Sequence, residues 1–205
     1  MASWNGAVAT RDEIREAKRR AILMAAARLF NHAGYHATSL DQVAADLGVT
    51  KPTIYYYFQN KEALLYECLL VSHQCGKDAM RESDELDGTA LERMSHLYRT
   101  FCRLLLERGG AFASRSALQA LPAEQQSELM GNRRRFDAYN QRLIGEAIEE
   151  GGLRPINVRL ASNFYLGAIT WALRWYSEDD ACTPQEVSET FLDIFLNGVA
   201  DRDPS

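Results

Sequence analysis

The stretch that decides the fold runs from Thr38 to Leu64 and reads TSLDQVAADLGVTKPTIYYYFQNKEAL. Its first half places apolar residues at the i, i+3, i+4, i+7 spacing of one helix face, namely at Leu40, Val43, Ala44 and Leu47. Thr38 or Ser39 can cap this helix, because a side-chain oxygen accepts an unpaired N–H of the first turn. Gly48 follows the last periodic residue, where a backbone with positive φ would end the helix. The spacing therefore predicts a short helix and a turn.

A second short helix is predicted immediately after the turn. Thr50 is expected to cap it, and Pro52 lies in its first turn, where a missing N–H costs little. Ile54 and Phe58, four residues apart, form its buried side. The remaining surface is polar and aromatic with one positive charge, and it consists of Lys51, Thr53, Tyr55, Tyr56 and Tyr57. Such a helix suits the DNA major groove, which admits one α-helix and displays a distinct pattern for each base pair.

Long helices are expected on both sides of this unit. The first is predicted from Arg11 to Ala33, and its basic beginning either is a solvated face or contacts DNA phosphates. Another begins after Asn60, a good N-cap, and runs to about Met80. Lys61 in its first turn is electrostatically unfavourable, because cations prefer helix C-termini. A bound DNA phosphate would offset that cost.

The rest of the chain also reads as helices. A polar linker is expected at residues 81–88, and a capping box of Thr89 and Glu92 opens the fifth helix. Further helices are predicted at about 112–120, 123–150 and 157–176. Thr183 and Glu186 form a second capping box, with proline at the first helical position, and open the ninth. We find no alternating strand pattern, so the predicted fold class is all-α with about nine helices.

This sequence resembles the DNA-binding region of the TetR family of one-component transcriptional regulators. The matching residues are Phe30, Gly34, Thr38, Ala44, Gly48, Val49, Thr53, Tyr55, Phe58, Lys61 and Leu64. The resemblance implies a three-helix helix-turn-helix domain at 11–60, after a leader at 1–10 that we expect to be disordered. It also implies a helical ligand-binding and dimerisation domain at 61–205. Pro52 departs from the small residue, often glycine, that the family carries there.

The resemblance and the helix-turn-helix pattern together give a predicted DNA-binding set. The groove surface is assigned to Lys51, Pro52, Thr53, Tyr55 and Tyr56, and the tyrosines and Lys61 are implied to contact mainly phosphate. The full set is Thr38, Thr50, Lys51, Pro52, Thr53, Tyr55, Tyr56 and Lys61. The expected partner is double-stranded operator DNA with a palindromic sequence.

The charge of the chain is distributed unevenly. The net charge of −5 argues against a general nucleic-acid-coating protein. Residues 1–65 carry 8 Lys and Arg against 6 Asp and Glu, whereas residues 66–205 carry 15 against 22. A mildly basic first third fits a local DNA footprint. Because no apolar signal segment and no stretch of ~18 uninterrupted apolar residues is present, a cytoplasmic protein without a membrane span is expected.

The last two long helices are apolar nearly all round, at 160–175 and 187–199. A helix of that kind is buried on more than one side. We expect them to form a four-helix interface between two subunits, which the resemblance also implies; a monomeric core is the alternative.

No enzyme is predicted. The chain lacks the GxGxxG, GxxxxGK[ST], HExxH and GxSxG motifs, and its four histidines show no convincing ligand spacing, so neither a cofactor nor a metal is expected. The four cysteines are expected to be reduced thiols. A redox-sensing role for Cys68 and Cys75 stays open, although roughly 10 Å of helix rise separates them.

The effector site is the least defined feature. Trp171, Arg174 and Trp175 either pack in the core and dimer interface or line a pocket for an apolar ligand with an anionic group. Arginines of the fifth and sixth helices either are solvated or meet phosphates at the pocket mouth. The candidate ligand-binding set is Phe101, Arg103, Arg115, Trp171, Arg174 and Trp175.

The sequence is thus expected to encode a ligand-responsive repressor. The tryptophan-rich ending resembles TetR-like repressors that sense acyl-CoA thioesters, so the expected effector is acyl-CoA-like, or otherwise aromatic or hydrophobic. Two alternatives remain: an activator or architectural protein of the same fold without an effector, and a carrier or catalytic protein that does not bind DNA.

Overall fold

The computed structural model describes residues 10–112, 114–177 and 180–199. Of the leader predicted at 1–10, residues 1–9 lie outside them, and Thr10 is the N-cap of the first helix. Over these residues the chain forms nine helices and no strand. Their bounds are α1 Arg11–Ala33, α2 Leu40–Asp46, α3 Lys51–Tyr57, α4 Lys61–Asp84, α5 Ala90–Arg108, α6 Arg115–Gln119, α7 Ala123–Glu149, α8 Val158–Trp175 and α9 Pro184–Asn197. The predicted all-α class is confirmed. Within the part described, no helix combines the length and apolar character needed to cross a membrane.

Helices α1 to α3 form the predicted helix-turn-helix unit. Ser39 caps α2 in a capping box with Gln42, and Gly48 turns the chain with φ of 64°. Ile54 and Phe58 are buried, as their spacing predicts. Apolar contacts of these short helices with α1 and the start of α4 hold the unit together, because helices of seven residues are marginal alone.

Two threonines that the sequence offers as helix caps make other contacts. Thr38 does not cap α2; it is 3% exposed, and its hydroxyl donates to the carbonyls of Gly34 at 2.9 Å and Leu29 at 3.3 Å. Thr50 is the N-cap residue of α3, but its side chain makes no capping bond and lies 3.0 Å from the hydroxyl of Thr53. Thr38 therefore fixes the turn after α1 from inside.

Helix α4 is longer than predicted and ends at Asp84 rather than near Met80. Ser83 is fully buried, and its hydroxyl donates to the carbonyl of Arg93 on α5 at 2.9 Å. Arg81 pairs with Glu85 at 3.0 Å, four residues on, which supports the last turn. Tertiary packing thus extends α4 into a polar segment whose composition alone predicts a linker.

Helix α6 is shorter than predicted, with five residues instead of nine. Ser114 caps it, and Ala111 and Phe112 make other contacts. The hydroxyl of Ser72 on α4 lies 2.8 Å from both the backbone nitrogen and the carbonyl oxygen of Ala111. The N–H of Phe112 donates to Asn31 at 2.9 Å. Because these backbone groups have other partners, the helix begins later.

Asn31 joins α1 to the segment between α5 and α6. Its side-chain N–H donates to the carbonyl of Gly110 at 2.9 Å, and its oxygen accepts from Phe112. Next to it, a Cβ on Gly109 would lie 3.1 Å from the Cα of Met24, so α5 ends in close contact with α1. Asn31 is 8% exposed, so these bonds connect α1 to the residues before α6 in the interior of the protein.

We predict that Asn31→Ala lowers the free energy of unfolding by about 2 kcal/mol, because it leaves the buried carbonyl of Gly110 and the partly buried N–H of Phe112 without their partner. Urea unfolding at one fixed protein concentration measures this loss. Gln74→Ala is the matched control, since the amide of Gln74 bonds to Asp78 on the surface. A loss for Asn31→Ala no larger than that of the control contradicts the role assigned to Asn31.

Candidate DNA-binding surface and ligand cavity

The outer face of α3 carries exposed aromatic side chains. Tyr56 is 70% exposed and Tyr55 is 48% exposed, and Lys51 and Pro52 are exposed beside them. The rings of Tyr56 and Tyr57 meet edge to face with centroids 5.0 Å apart, which orients Tyr56. The face thus offers hydroxyl donors, flat apolar area and one ammonium group.

The charge of Lys51 is shared with α2. Its Nζ lies 2.7 Å from Asp41 Oδ2, and this hydrogen bond raises the pKa of Lys51. Both side chains are exposed, so a phosphate could compete for the ammonium group. Recognition by α3 cannot rest on free positive charge.

Lys61 is held at the beginning of α4. Its Nζ lies 4.1 Å from the centroid of the Tyr35 ring, and partial burial lowers the pKa of Lys61. The hydroxyl of Tyr35 in turn donates to Glu62 at 2.9 Å. The ammonium group is therefore oriented by an aromatic ring, which is a weak but directional contact.

The basic beginning of α1 lies beside α3. The guanidinium carbon of Arg15 is 6.0 Å from the centroid of the Tyr56 ring. That of Arg19 lies 5.4 Å from the Phe58 ring, but Arg19 also pairs with Glu67 at 2.9 Å. Arg15 thus extends the α3 surface, whereas Arg19 supports the packing of α1 on α4. The sequence alone leaves open whether these basic residues are solvated or contact DNA.

A cavity of roughly 170 Å³ lies between α4, α5, α7 and α8. Its wall is mainly apolar and includes Leu69, Met80, Phe101, Leu129, Phe136 and Leu166. The rings of Phe101 and Phe136 lie against each other with centroids 4.4 Å apart. Gly76 of α4 leaves room there, because a Cβ would lie 3.1 Å from the Phe136 ring.

Charged side chains border this cavity on one side. Lys77, Arg133 and Arg135 are exposed and contribute to its lining. The Nε of Arg133 lies 3.7 Å from Asp137 Oδ2, and burial raises the pKa of Asp137. We call Lys77, Arg133 and Arg135 the basic rim. It joins an apolar interior to a surface that attracts anions.

Of the predicted ligand-binding residues, only Phe101 lines this cavity. Arg103 pairs with Glu107 on the surface at 2.8 Å, and Arg115 is exposed on α6. Trp171 and Trp175 are 61% and 44% exposed on the outside of α8. These four side chains fall outside the cavity because they lie on other faces of their helices.

Arg174 also lies outside the cavity. Its guanidinium carbon is 5.1 Å from the Trp171 ring centroid, on the same outer side of α8. The sequence prediction missed the basic rim, although the run Arg133-Arg134-Arg135 was the available signal. Its members point in different directions on a helix, so a run alone does not tell which of them reaches a cavity.

An exposed apolar stripe follows the outer side of α8. Leu160 and Phe164 are 64% and 63% exposed, and they align with Trp171 at helical spacing. Gly167 lies between them, and a Cβ there would meet nothing within 4 Å. On α9, Ile194 is also exposed. Single exposed apolar residues are normal on a protein surface, whereas a continuous stripe of this kind indicates an interaction site.

The cysteines are unpaired, and three of them are buried. Burial raises the pKa of Cys75 to about 11 and that of Cys102 to about 12, and it also raises the pKa of Cys68. These thiols are therefore poor nucleophiles. Cys68 and Cys75 donate instead to the carbonyls of Leu23 and Leu104. In the described regions, no group of three or more His, Cys, Asp or Glu side chains could hold a metal ion.

Two family models match most of the chain. Residues 22–68 match the model described as bacterial regulatory proteins, tetR family. Residues 87–199, more than half of the sequence, match the tetracyclin repressor-like C-terminal domain. The first match contains α2 and α3, and the second contains α5 to α9.

Several curated proteins are similar over nearly the whole length. The HTH-type transcriptional repressor KstR2 of Mycobacterium tuberculosis is 25% identical over 195 residues, covering 89% of this chain and 92% of that protein. The fatty acid metabolism regulator protein of Bacillus subtilis is 24% identical over 186 residues, covering 88% and 95%. The HTH-type transcriptional regulator RutR of Escherichia coli is 47% identical, but over only 62 residues, 29% of each chain.

Solved structures show the same fold. The TetR-family regulator PfmR from Thermus thermophilus superimposes with a TM-score of 0.67 at 26% identity, covering 88% of this chain and 99% of that one. AibR in complex with isovaleryl coenzyme A and operator DNA gives a TM-score of 0.62 at 24% identity, covering 87% and 98%. Both similarities extend over the helix-turn-helix unit and the helical remainder together.

Proposed function

This chain belongs to the TetR family of bacterial transcriptional regulators. From that premise we propose that it is a dimeric repressor and that binding of an acyl thioester releases it from its operator. It is a DNA-binding regulator and not an enzyme. The observation that carries the effector proposal is the apolar cavity with a basic rim, built largely on α4. A regulator of the bacterial chromosome acts in the cytoplasm, which is where we place this protein.

The proposed DNA surface is the exposed face of α3. Lys51, Pro52, Thr53, Tyr55 and Tyr56 would enter the major groove, with Thr50 and Lys61 at its edges. The position of Arg15 beside Tyr56 supports a phosphate contact from α1. Thr38 contributes by holding the turn and not by touching DNA, because its hydroxyl is already donated inside.

The proposed dimer forms through α8 and α9. The stripe of Leu160, Phe164 and Trp171 would be covered by the same stripe of a second copy, which makes a symmetric four-helix contact. Gly167 in its middle permits close approach of two helices. Two α3 helices would then reach half-sites one or more turns of DNA apart, as a palindromic operator requires.

The proposed effector joins an apolar chain to an anionic group. The cavity is smaller than the ~300 Å³ at which typical drug-sized sites begin, so it suits a short acyl chain better than a ring system. Lys77 and Arg133 on the rim suit the phosphates of coenzyme A. The similarity to the fatty acid regulator of B. subtilis and to AibR with isovaleryl coenzyme A supports the same class.

Helix α4 is the element through which the two sites would be coupled. It carries Lys61 at its DNA-facing beginning, and its residues from Leu69 to Met80 line the cavity. An effector must bind the DNA-free arrangement of α4 better than the DNA-bound one. A hundredfold loss of operator affinity needs about 2.7 kcal/mol of such coupling. A regulator without an effector would not need this cavity.

We predict that Tyr56→Ala weakens operator binding at least tenfold and shifts the melting temperature by less than about 2 °C, because the side chain is exposed. Operator fragments are first selected from random DNA, and fluorescence anisotropy then measures affinity against scrambled DNA. Tyr56→Phe is the matched control that keeps the ring and removes the hydroxyl. Unchanged affinity of Tyr56→Ala would remove this residue from the DNA surface.

We predict that Phe164→Asp converts the dimer to a monomer at micromolar concentration, because two carboxylates would face each other in an apolar contact. Light scattering after size-exclusion chromatography measures the mass. Leu86→Asp, at an exposed apolar residue outside α8 and α9, is expected to remain dimeric. A dimeric Phe164→Asp protein is the result that would place the interface elsewhere.

We predict that short-chain acyl-CoAs release the operator and that free coenzyme A does not. Replacing both Lys77 and Arg133 by alanine should raise the acyl-CoA concentration for half-release at least tenfold and leave operator affinity unchanged. Arg103→Ala is the control, since Arg103 pairs with Glu107 away from the cavity. If no acyl-CoA from four to twelve carbons releases the operator, the effector class is wrong.

A further inference from the structure

A chain of three polar side chains reaches from the basic rim into the cavity wall. Arg135 donates from its Nη2 to the side-chain oxygen of Asn132. The side-chain nitrogen of Asn132 lies 3.2 Å from Nδ1 of His73. Asn132 is almost fully buried, and His73 lies on α4 with its side chain in the lining of the cavity. These three side chains therefore connect a surface cation to an imidazole in a mainly apolar wall.

The direction of these hydrogen bonds determines the tautomer of His73. A guanidinium group only donates, so Arg135 fixes the oxygen of Asn132 on its own side. The amide nitrogen of Asn132 then points to His73 and donates, which makes Nδ1 of His73 an acceptor. A neutral imidazole that accepts at Nδ1 carries its proton at Nε2. His73 thus presents an Nε2–H donor.

The charges around His73 favour this neutral form. Burial lowers the pKa of His73, and the positive charges of Lys77 on α4 and Arg135 on α7 lower it further. The carboxylate of Glu128 on α7 acts in the opposite direction and is the weaker influence compared with burial. The ring is therefore neutral near pH 7, and its protonation would disrupt the bond from Asn132.

The Nε2–H of His73 has no hydrogen-bond partner in residues 10–112, 114–177 and 180–199, while Nδ1 has one. Apolar residues such as Leu69, Phe101 and Leu129 make up most of the surrounding cavity wall. A donor in such a wall gains most from an acceptor that belongs to a ligand, because the wall itself offers few.

We propose that the Nε2–H of His73 donates to the carbonyl oxygen of the effector and is the residue that determines specificity for a thioester. The inference rests on the proposed function and assigns recognition of the thioester carbonyl to one side chain. The acyl chain would fill the cavity beyond His73, and the phosphates would meet Lys77 and Arg133. A ligand that lacks the carbonyl leaves the donor unpaired, so its affinity should be lower than that of the thioester by about a factor of ten or more.

The test compares two ligands that differ only at the carbonyl. Isothermal titration calorimetry with the full-length protein measures hexanoyl-CoA, a thioester, and S-hexyl-CoA, the thioether with the same chain length. The wild type should bind the thioester at least tenfold more tightly. His73→Phe keeps a ring and removes the donor, and it should bind both ligands with similar affinity.

Two further variants separate recognition from general damage. His73→Gln retains an amide donor and should recover part of the preference for the thioester. Arg133→Ala should weaken both ligands by the same factor and keep their ratio, because the phosphates are common to both. Melting curves recorded for all variants without ligand show that they fold.

The possible failures are distinguishable. Equal binding of both ligands to the wild type overturns the role of His73 and leaves the acyl-CoA effector in place. The same holds if His73→Phe keeps the full preference. If neither ligand binds to the wild type, the effector class itself is wrong, and the role of His73 is rejected with it.

Discussion

The two hydrogen bonds of Asn31 are the constraint on which the arrangement of the DNA-reading unit depends. They tie α1 to the backbone of Gly110 and Phe112, and Ser72 of α4 holds Ala111 between them. Beside this joint lies a cleft of roughly 420 Å³ between α1, α2 and the ends of α5 and α8, so close packing does not fix the junction everywhere. Directional bonds to a short backbone segment add to the apolar packing of α1 against α4. Ala111 and Phe112 also line the cavity, so the same segment contacts both α1 and the cavity.

Helix α4 combines two kinds of environment along one rigid element. At its beginning, Lys61 is oriented by the ring of Tyr35 and Asn60 caps the first turn. Two turns further, Leu69 begins an apolar face that turns to the cavity, and Ser83 anchors the far end on α5. Because one helix carries both environments, a ligand that shifts α4 at the cavity would also shift Lys61 at its beginning. This geometry suits a regulator with two discrete states.

The sequence predicts the helix-turn-helix well, whereas only Phe101 of the predicted ligand-binding set lines the cavity, for a physical reason. Helix starts depend on residues three or four apart, and those at Ser39, Asn60, Thr89 and Thr183 are confirmed by their capping bonds. The cavity is instead lined by residues from several helices, which only the tertiary arrangement brings together. The aromatic residues near the end of α8 resemble a pocket in composition, yet they lie on its outer face. The chain from Arg135 to His73 has no sequence signature, because His73 lies 59 positions before Asn132.

Helix α8 separates the two remaining surfaces by its own periodicity. Leu166, Thr170 and Leu173 face inward and line the cavity, whereas Phe164 and Trp171 face outward on the exposed stripe. The two sets alternate at helical spacing, so they occupy different sides of one cylinder. A ligand can therefore fill the cavity without displacing any side chain of the proposed dimer contact. The same helix would set the distance between the two DNA-binding units. A ligand that displaces α8 from the cavity side would therefore also change that distance. One helix can thus connect the cavity of each subunit with the spacing of both α3 helices.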